Sequence, residues 1–383
     1  MSTALRIVRL ANFVTPVSGG LRTALRHLGA GYLAAGHDPV LIVPGPAHRD
    51  ERTDQGRVIT LPGRVLPGSG GYRVLTDRRA VARTLTALAP DRLEVSDRTT
   101  LRWTGDWARR RGVRAAMVSH ENATGLLRAH GLPQGAAELV ADRLNSRTAR
   151  AYDAVICTTA WAAAEFRRIG VRHLLEAPLG VDLDLLHPAR RDPAVRARYA
   201  APGQPLLVLC SRLSSEKRPE RALDALVELR RRGRDAVLVV AGAGPLRERL
   251  EGRARRTGLP VHFLGHVAGR DALAALLASA DVVLAPGPVE TFGLAALEAL
   301  ACGTPVAVNR SSALPVVVGP AGAVAEDTGT GFADAVAALL ARPEPVRRAG
   351  ARARAEAYGW PPAVAAFLAV HEADPAELAG RRR

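Results

Sequence analysis

Short apolar runs alternate with longer helical patterns along the whole chain, and the series starts afresh near its middle. A run too short for a buried helix, bounded by turn residues, makes a strand covered on both faces, and a helix between successive runs makes those strands parallel. The first half supplies ALRIVRLA, PVLIVPG, RLEVSD, RAAMVSH and YDAVICTT; the second supplies PLLVLCSRL, AVLVVAG, VHFLGHV, ADVVLAPG and TPVAVN. Helical patterns fall at 21–35, 78–88, 219–231, 246–256 and 271–280. The restart lies at GVDLDLLHP, residues 180–188. The predicted fold class is α/β, with two Rossmann-like doubly wound domains, 1–184 and 185–355, facing a cleft. Open sheets of this kind take ligands beyond the C-terminal ends of their strands. Residues 356–383 are expected to form a last helix, opened at Trp360 by two prolines, that returns to the first domain and ends in a solvated, disordered GRRR tail. The Gly- and Pro-rich stretch 61–71 reads as a loop near the cleft.

Composition narrows the function classes. A chain of 383 residues suits two cores of ordinary size, and 48% hydrophobic with 23% charged residues is globular. The formal charge is +16, but arginine is spread along the chain and aromatics are only 4%, leaving little to stack on exposed bases. Nucleic acid is therefore not expected as a partner, whereas an anionic membrane surface needs no specific pocket to attract a basic face. Cys157, Cys210 and Cys302 lie far apart in apolar contexts and read as buried thiols rather than a disulfide framework. No apolar stretch reaches membrane-span length and no signal peptide stands at the start, so the expected location is the cytoplasm, with peripheral contact at the inner face of the membrane.

Four segments carry the chemistry. In ADVVLAPGPVETFGLAALEALACGTPVAV a buried strand runs into a loop and then a helix from about Phe292 to Ala301. Glu290 stands ahead of that helix and Glu298 inside it. The amides of Thr291, Phe292, Gly293 and Leu294 form a helix N-terminus suited to phosphate. A cap role explains Glu290 alone; it does not explain Glu298 among alanines and leucines, whereas sugar hydroxyls would suit both carboxylates. In VLCSRLSSEKRPERALDAL, Lys217 is the only lysine among 53 Lys and Arg residues, and its compact charge fits phosphate oxygens, with Arg212 as a second cation. Chance survival of one lysine is the competing explanation. Gly19 and Gly20 turn a strand into a helix where backbone can approach a diphosphate, and Gly242 and Gly244 of GAGP form a second such turn. His120 ends the apolar strand of AAMVSHENATG, where a cleft-facing role and a structural one fit equally. No ligand set accompanies Glu121, so no metal is expected.

Together these segments resemble family 4 glycosyltransferases of the GT-B fold. The resemblance runs over nearly the whole chain, through the GG turn, His120, GVD with HP, SRLSSEK, GAGP, FLGHV and ETFGLAALEALACGTPV. Within the family the chain is most similar to actinobacterial α-mannosyltransferases related to phosphatidylinositol mannosyltransferases, which use GDP-mannose. The resemblance implies retaining transfer of a hexose with no cofactor beyond the nucleotide sugar. It implies that Glu290 holds the donor sugar's hydroxyls and Glu298 the ribose. Arg212 and Lys217, with amides at Gly19–Gly20 and Phe292–Gly293, would neutralise the departing diphosphate. His120 matches the family's histidine near the reacting sugar. HENAT departs from the HERL-like residues of similar enzymes, which bears on the acceptor side.

Several points stay open. A transferase using UDP-glucose or UDP-N-acetylglucosamine is the main alternative, since the base is chosen by backbone around Gly265–Val267 and Gly242–Pro245. A non-enzymatic sugar-binding protein lacks support because neutral sugars need no cationic pair, and an epimerase because its acidic and histidine pairs are not evident. The acceptor is expected on the first domain, around residues 19–23, 67–72 and 120–127, with Arg22, Tyr72 and Asn122 as contacts. Its identity, the new linkage and the oligomeric state do not follow from the sequence.

Overall fold

The computed structural model describes residues 4–14, 19–66 and 71–373. The chain divides into two compact units, Met1–Gly180 with Trp360–Arg383 and Val181–Gly359. The sequence placed these divisions at 184/185 and 355/356.

The first unit contains β1 (Arg6–Leu10), α1 (Gly20–Ala34), β2 (Asp38–Gly45), β3 (Arg49–Thr53), β4 (Gly56–Pro62), β5 (Arg64–Val65), β6 (Arg73–Val74) and α2 (Arg78–Leu88). It continues through β7 (Arg92–Val95), α3 (Trp103–Arg109), β8 (Arg114–Ser119), α4 (Ala123–Ala129), α5 (Gln134–Ala151), β9 (Ala154–Cys157), α6 (Ala160–Arg168) and β10 (Leu174–Glu176). Its eight-stranded sheet runs β10-β9-β8-β7-β1-β2-β4-β3. All its ladders are parallel except that of β3 with β4. From β1 the chain winds outward through β2, then returns to β7 on the other side. The order therefore reverses between β1 and β7, where open sheets place their ligands.

Stretch 61–71 corrects the expectation of a loop. Leu61 and Pro62 end β4, and Arg64–Val65 pairs antiparallel with Arg73–Val74. Leu61 is buried beside Ile59 in the core of this unit, which holds that end of the stretch in the sheet. Residues 67–70 lie outside the described residues, as does the tail beyond 373, including GRRR.

The second unit holds α7 (Pro193–Ala197), β11 (Leu206–Cys210), α8 (Glu220–Arg231), β12 (Val237–Ala241), α9 (Arg247–Arg256), β13 (Val261–Gly265), α10 (Arg270–Ser279) and β14 (Val282–Ala285). Then follow α11 (Leu294–Ala301), β15 (Val306–Asn309), α12 (Leu314–Val318), β16 (Ala323–Ala325), α13 (Gly329–Leu340) and α14 (Glu344–Glu356). The sheet order is β13-β12-β11-β14-β15-β16, parallel throughout. Here the reversal lies between β11 and β14. Val237–Ala241 is buried at every position because helices cover both faces. Burying each such aliphatic side chain contributes about 1.5–3 kcal/mol.

The last helix, α15 (Trp360–Glu372), belongs to the first unit. Pro361 and Pro362 sit in its first turn, where a missing N–H costs nothing. Trp360 stacks on His27 of α1 at 4.5 Å, and His371 Nε2 donates to the buried Glu94 carboxylate of β7 at 3.1 Å. The expected return of this helix is thus observed. No helix among the described residues is long and apolar enough to cross a membrane.

Candidate active site

In the second unit, the loops after β11 and β14 flank the strand-order reversal, and they carry Arg212, Lys217 and Glu290. The loop after β11 tightens into a helical turn, Ser215–Lys217, before α8. Lys217 Nζ donates to Glu290 Oε1 at 2.6 Å, with the two side chains 27% and 22% exposed. That contact joins the two loops. Arg212 instead pairs within its own loop, with Glu216. Burial draws the Glu216 carboxyl upward, but the Ser214 hydroxyl at 2.6 Å, its own amide and Arg212 outweigh this and hold it below its ordinary value.

The loop that carries Glu290 is held at two points. Its carbonyl accepts from Ala313 N at 2.9 Å, and Asn309 Nδ2 grips the Pro286 carbonyl at 3.0 Å. The following helix, α11, starts at Leu294 and not at Phe292. Gly293 is left-handed at φ 78°, and a Cβ there would lie 2.2 Å from Leu314 Cδ2, so Gly293 ends the loop as the helix cap. Phe292 is buried edge-to-face on Tyr358 at 5.9 Å, and Thr291 is buried too. In the first turn of α11 the amides of Ala296 and Leu297 donate to the Gly293 carbonyl at 3.0 and 3.2 Å, so it is the amides ahead of them that such a helix start turns outward.

Glu298 lies inside α11, 8% exposed, and accepts from Arg270 NH1 at 2.9 Å. Burial raises its carboxyl above the ordinary range; Arg270 opposes this and Asp182 reinforces it. Arg270, the first residue of α10, escaped the sequence reading. The available signal was an arginine three residues after Val267, opening a helix beside the base-side loop. Val267 itself is half-buried in the loop after β13.

The GAGP turn packs against the loop of Arg212. A Cβ on Gly242 would fall 1.8 Å from the Ser211 carbonyl. Gly244 has φ 157°, and Leu213 N donates to Ala243 O at 2.9 Å. These glycines therefore set the approach of two loops.

In the first unit, Gly19 is the N-terminal cap residue of α1 and Gly20 its first residue. A Cβ on Gly19 would meet nothing within 4 Å, so no packing demands that glycine. Arg22 lies on the outer part of α1 beside a shallow depression walled by Leu25, Leu41, Val43 and Val58. Tyr72 rests edge-on against Phe13 at 6.2 Å. The Asn122 side chain caps α4, accepting from Gly125 N at 2.6 Å. That local use supplies a structural reason for Asn in HENAT.

His120 follows β8, and its Nε2 lies 3.2 Å from Ser96 Oγ. Burial lowers its imidazole to about 4, with Glu94 opposing and Arg98 assisting. Ser96, Asp97 and Arg98, which the sequence reading passed over as a strand end, lie at the reversal point. Asp97 accepts from buried Asn12 after β1 at 2.7 Å. Among the described residues, no three His, Cys, Asp or Glu side chains converge as a metal site. The three cysteines form no disulfide, and burial pushes their thiols up to about 12.

Two family models match the two halves: a glycosyl transferase 4-like domain over residues 19–180 and glycosyl transferases group 1 over residues 192–356. The chain is 52% identical, over 89% of both chains, to a GDP-mannose-dependent alpha-(1-6)-phosphatidylinositol dimannoside mannosyltransferase of Mycobacterium tuberculosis. The chain belongs to the glycosyltransferase family. A monomannoside mannosyltransferase of Mycolicibacterium smegmatis, also named for GDP-mannose and phosphatidylinositol, is 37% identical over 43% of this glycosyltransferase and 47% of its own length. Among solved structures, sucrose-phosphate synthase from Thermosynechococcus elongatus matches with TM-score 0.74 and 20% identity, over 96% of this chain and 98% of its own. Anabaena HepE, solved in complex with UDP-glucose, matches with TM-score 0.73 and 16% identity over 96% and 100%. The glycosyltransferase therefore has the GT-B fold expected from its sequence.

Proposed function

We propose that this glycosyltransferase moves mannose from GDP-mannose to a hydroxyl of a lipid-linked inositol mannoside, phosphatidylinositol dimannoside being the first acceptor to test. The new bond is α, the anomeric configuration is retained, and no metal takes part. The 52% identity over 89% of the M. tuberculosis enzyme carries the donor and acceptor class.

The residues support a division of roles. Lys217 and Arg212 exchange their carboxylate partners for the diphosphate, assisted by the amides opening α11 and at Gly19–Gly20. Glu290, released from Lys217, accepts from the hydroxyls of the donor sugar, and Glu298 accepts from the ribose. In the reaction the bond from C1 to the diphosphate oxygen breaks and that oxygen keeps the electron pair. The acceptor oxygen bonds to C1 on the same face, and its proton passes to the leaving phosphate. The two cations stabilise the negative charge that builds on the diphosphate. His120, held as a neutral imidazole, faces the reacting sugar, and Arg22, Tyr72 and Asn122 mark the acceptor side. The formal charge of +16 and Arg22 with Arg26 on α1 support peripheral contact with anionic lipid.

The test is transfer from radiolabelled GDP-mannose to phosphatidylinositol dimannoside in mixed vesicles, with and without EDTA, followed by linkage analysis. A trimannoside with a new α bond, formed equally in EDTA, is expected. Transfer from UDP-glucose in preference, or loss of activity restored by Mg²⁺ or Mn²⁺, would overturn the donor or the metal-free mechanism respectively.

A further inference from the structure

We propose that Arg98 is a positioning residue for His120, fixing the loop that carries the imidazole while its neighbour Ser96 fixes the ring. This rests on the reading of His120 as a residue of the transfer reaction.

Arg98 is 4% exposed. One guanidinium nitrogen donates to Asn145 Oδ1 of α5 at 2.7 Å. The other donates to Ser119 Oγ and to the Glu121 carbonyl, both at 2.5 Å. Ser119 and Glu121 are the residues before and after His120, so the backbone of the histidine cannot shift without breaking one of these bonds. A lysine has one nitrogen and cannot span three acceptors on separate elements, whereas the planar fork of arginine can.

The next residues are pinned as firmly. Glu165 of α6, 2% exposed, accepts from Ala123 N at 2.9 Å and from Thr124 N at 2.7 Å. It also lies 3.8 Å from Arg98 NH1, and the Phe166 ring sits under the guanidinium at 5.5 Å. Residues 119, 121, 123 and 124 are thus held by one buried ion pair. A buried pair seldom adds net stability over an apolar replacement, so stability alone gives little reason for it. Its geometry instead brackets His120. Ser96, two residues before Arg98 in the same loop, meets the ring itself. The charged groups bearing on the imidazole are Glu94 from β7, which favours its protonation, and Arg98, which disfavours it.

The experiment follows His120 by NMR across pH in the full chain, beside steady-state kinetics with GDP-mannose and phosphatidylinositol dimannoside. Arg98→Lys tests geometry with the charge retained; Arg98→Met with Glu165→Gln removes both charges together and leaves no buried ion unpaired. In the double variant the His120 midpoint should rise from about 4, because the repelling cation is gone. In both variants kcat should fall about 10–100-fold with donor KM changed less than about threefold, as for a misplaced reacting group. Arg98→Lys should retain more activity than the double variant. A folded double variant with an unmoved His120 midpoint and wild-type kcat would overturn the positioning role. Wild-type turnover by His120→Ala would instead overturn the reading of His120, and with it the catalytic consequence of Arg98, while the midpoint shift in the double variant would still report that the Arg98 charge bears on the imidazole.

Discussion

Both sheets reverse their strand order at a point where two loops meet, and the two meetings are built from opposite materials. In the first unit, Asn12 and Asp97 join across the reversal with both side chains buried, and Arg98 and Glu165 extend the join inward. In the second unit, Lys217 and Glu290 join across it while each keeps about a quarter of its side chain exposed. Arg212 with Glu216 and Arg270 with Glu298 repeat the pattern, the cation being the more exposed partner each time. A pair in contact with solvent can trade one partner for a ligand at little cost, whereas a fully buried pair can only be broken. The first reversal point is a fixed frame and the second an exchangeable set of charges. Similar topology thus serves positioning in one place and binding in the other.

The contrast breaks most visibly under substitution. Lys217→Ala and Glu290→Gln should each lower kcat by about 10²–10³-fold, as loss of one preorganised group does, while the melting temperature moves little. Activity near wild type at saturating donor, measured by product formation, would remove these residues from the reaction. Asn12→Ala should do the reverse. It strips Asp97 of one buried donor and Leu75 N of its acceptor, at about 1–3 kcal/mol. Calorimetry should show a fall of about 3–10 °C for this unit, with donor KM unchanged; an unchanged melting temperature would mean the first reversal point is no more a frame than the second.

Arg270→Ala should have a smaller effect, sharpest in its pH dependence. Glu298 already has a raised carboxyl pKa, and Arg270 holds it down. A protonated Glu298 accepts poorly from ribose hydroxyls, so donor affinity fails as pH falls through that pKa. Without Arg270 the pKa rises further and the acid limb should move to higher pH. Donor KM should rise more at the acid end of the pH range than at the alkaline end, while kcat changes little. An acid limb in the same place would show that Arg270 does not act on Glu298.

What the sequence revealed follows the same division. Buried strands and their helices were legible because doubly covered strands are continuous apolar runs; α2 lies at 78–88 as expected. Glu290, Glu298 and Lys217 stood out because each breaks its local composition. The edge strand β3, RDERT, is exposed at every position and gives no alternation to read. Helix α5 was not identified because its buried face is Ala137, Ala141, Asn145, Thr148 and Ala149, small and polar rather than aliphatic. Arg98 and Arg270 were hidden among 53 Lys and Arg residues, and only their partners distinguish them.

Helix α15 carries a consequence for biosynthesis. Glu94 is buried in a central strand, and its bond to His371 spans 277 residues of chain. At a ribosomal pace of about 5–20 residues per second, roughly 15–55 s pass between the synthesis of those two residues. Throughout that interval the β7 carboxylate lacks its imidazole partner, and α1 lacks the indole that stacks on His27. The first unit to emerge is therefore the last to be completed, and a nascent chain halted before Trp360 leaves Glu94 and His27 without their partners from α15.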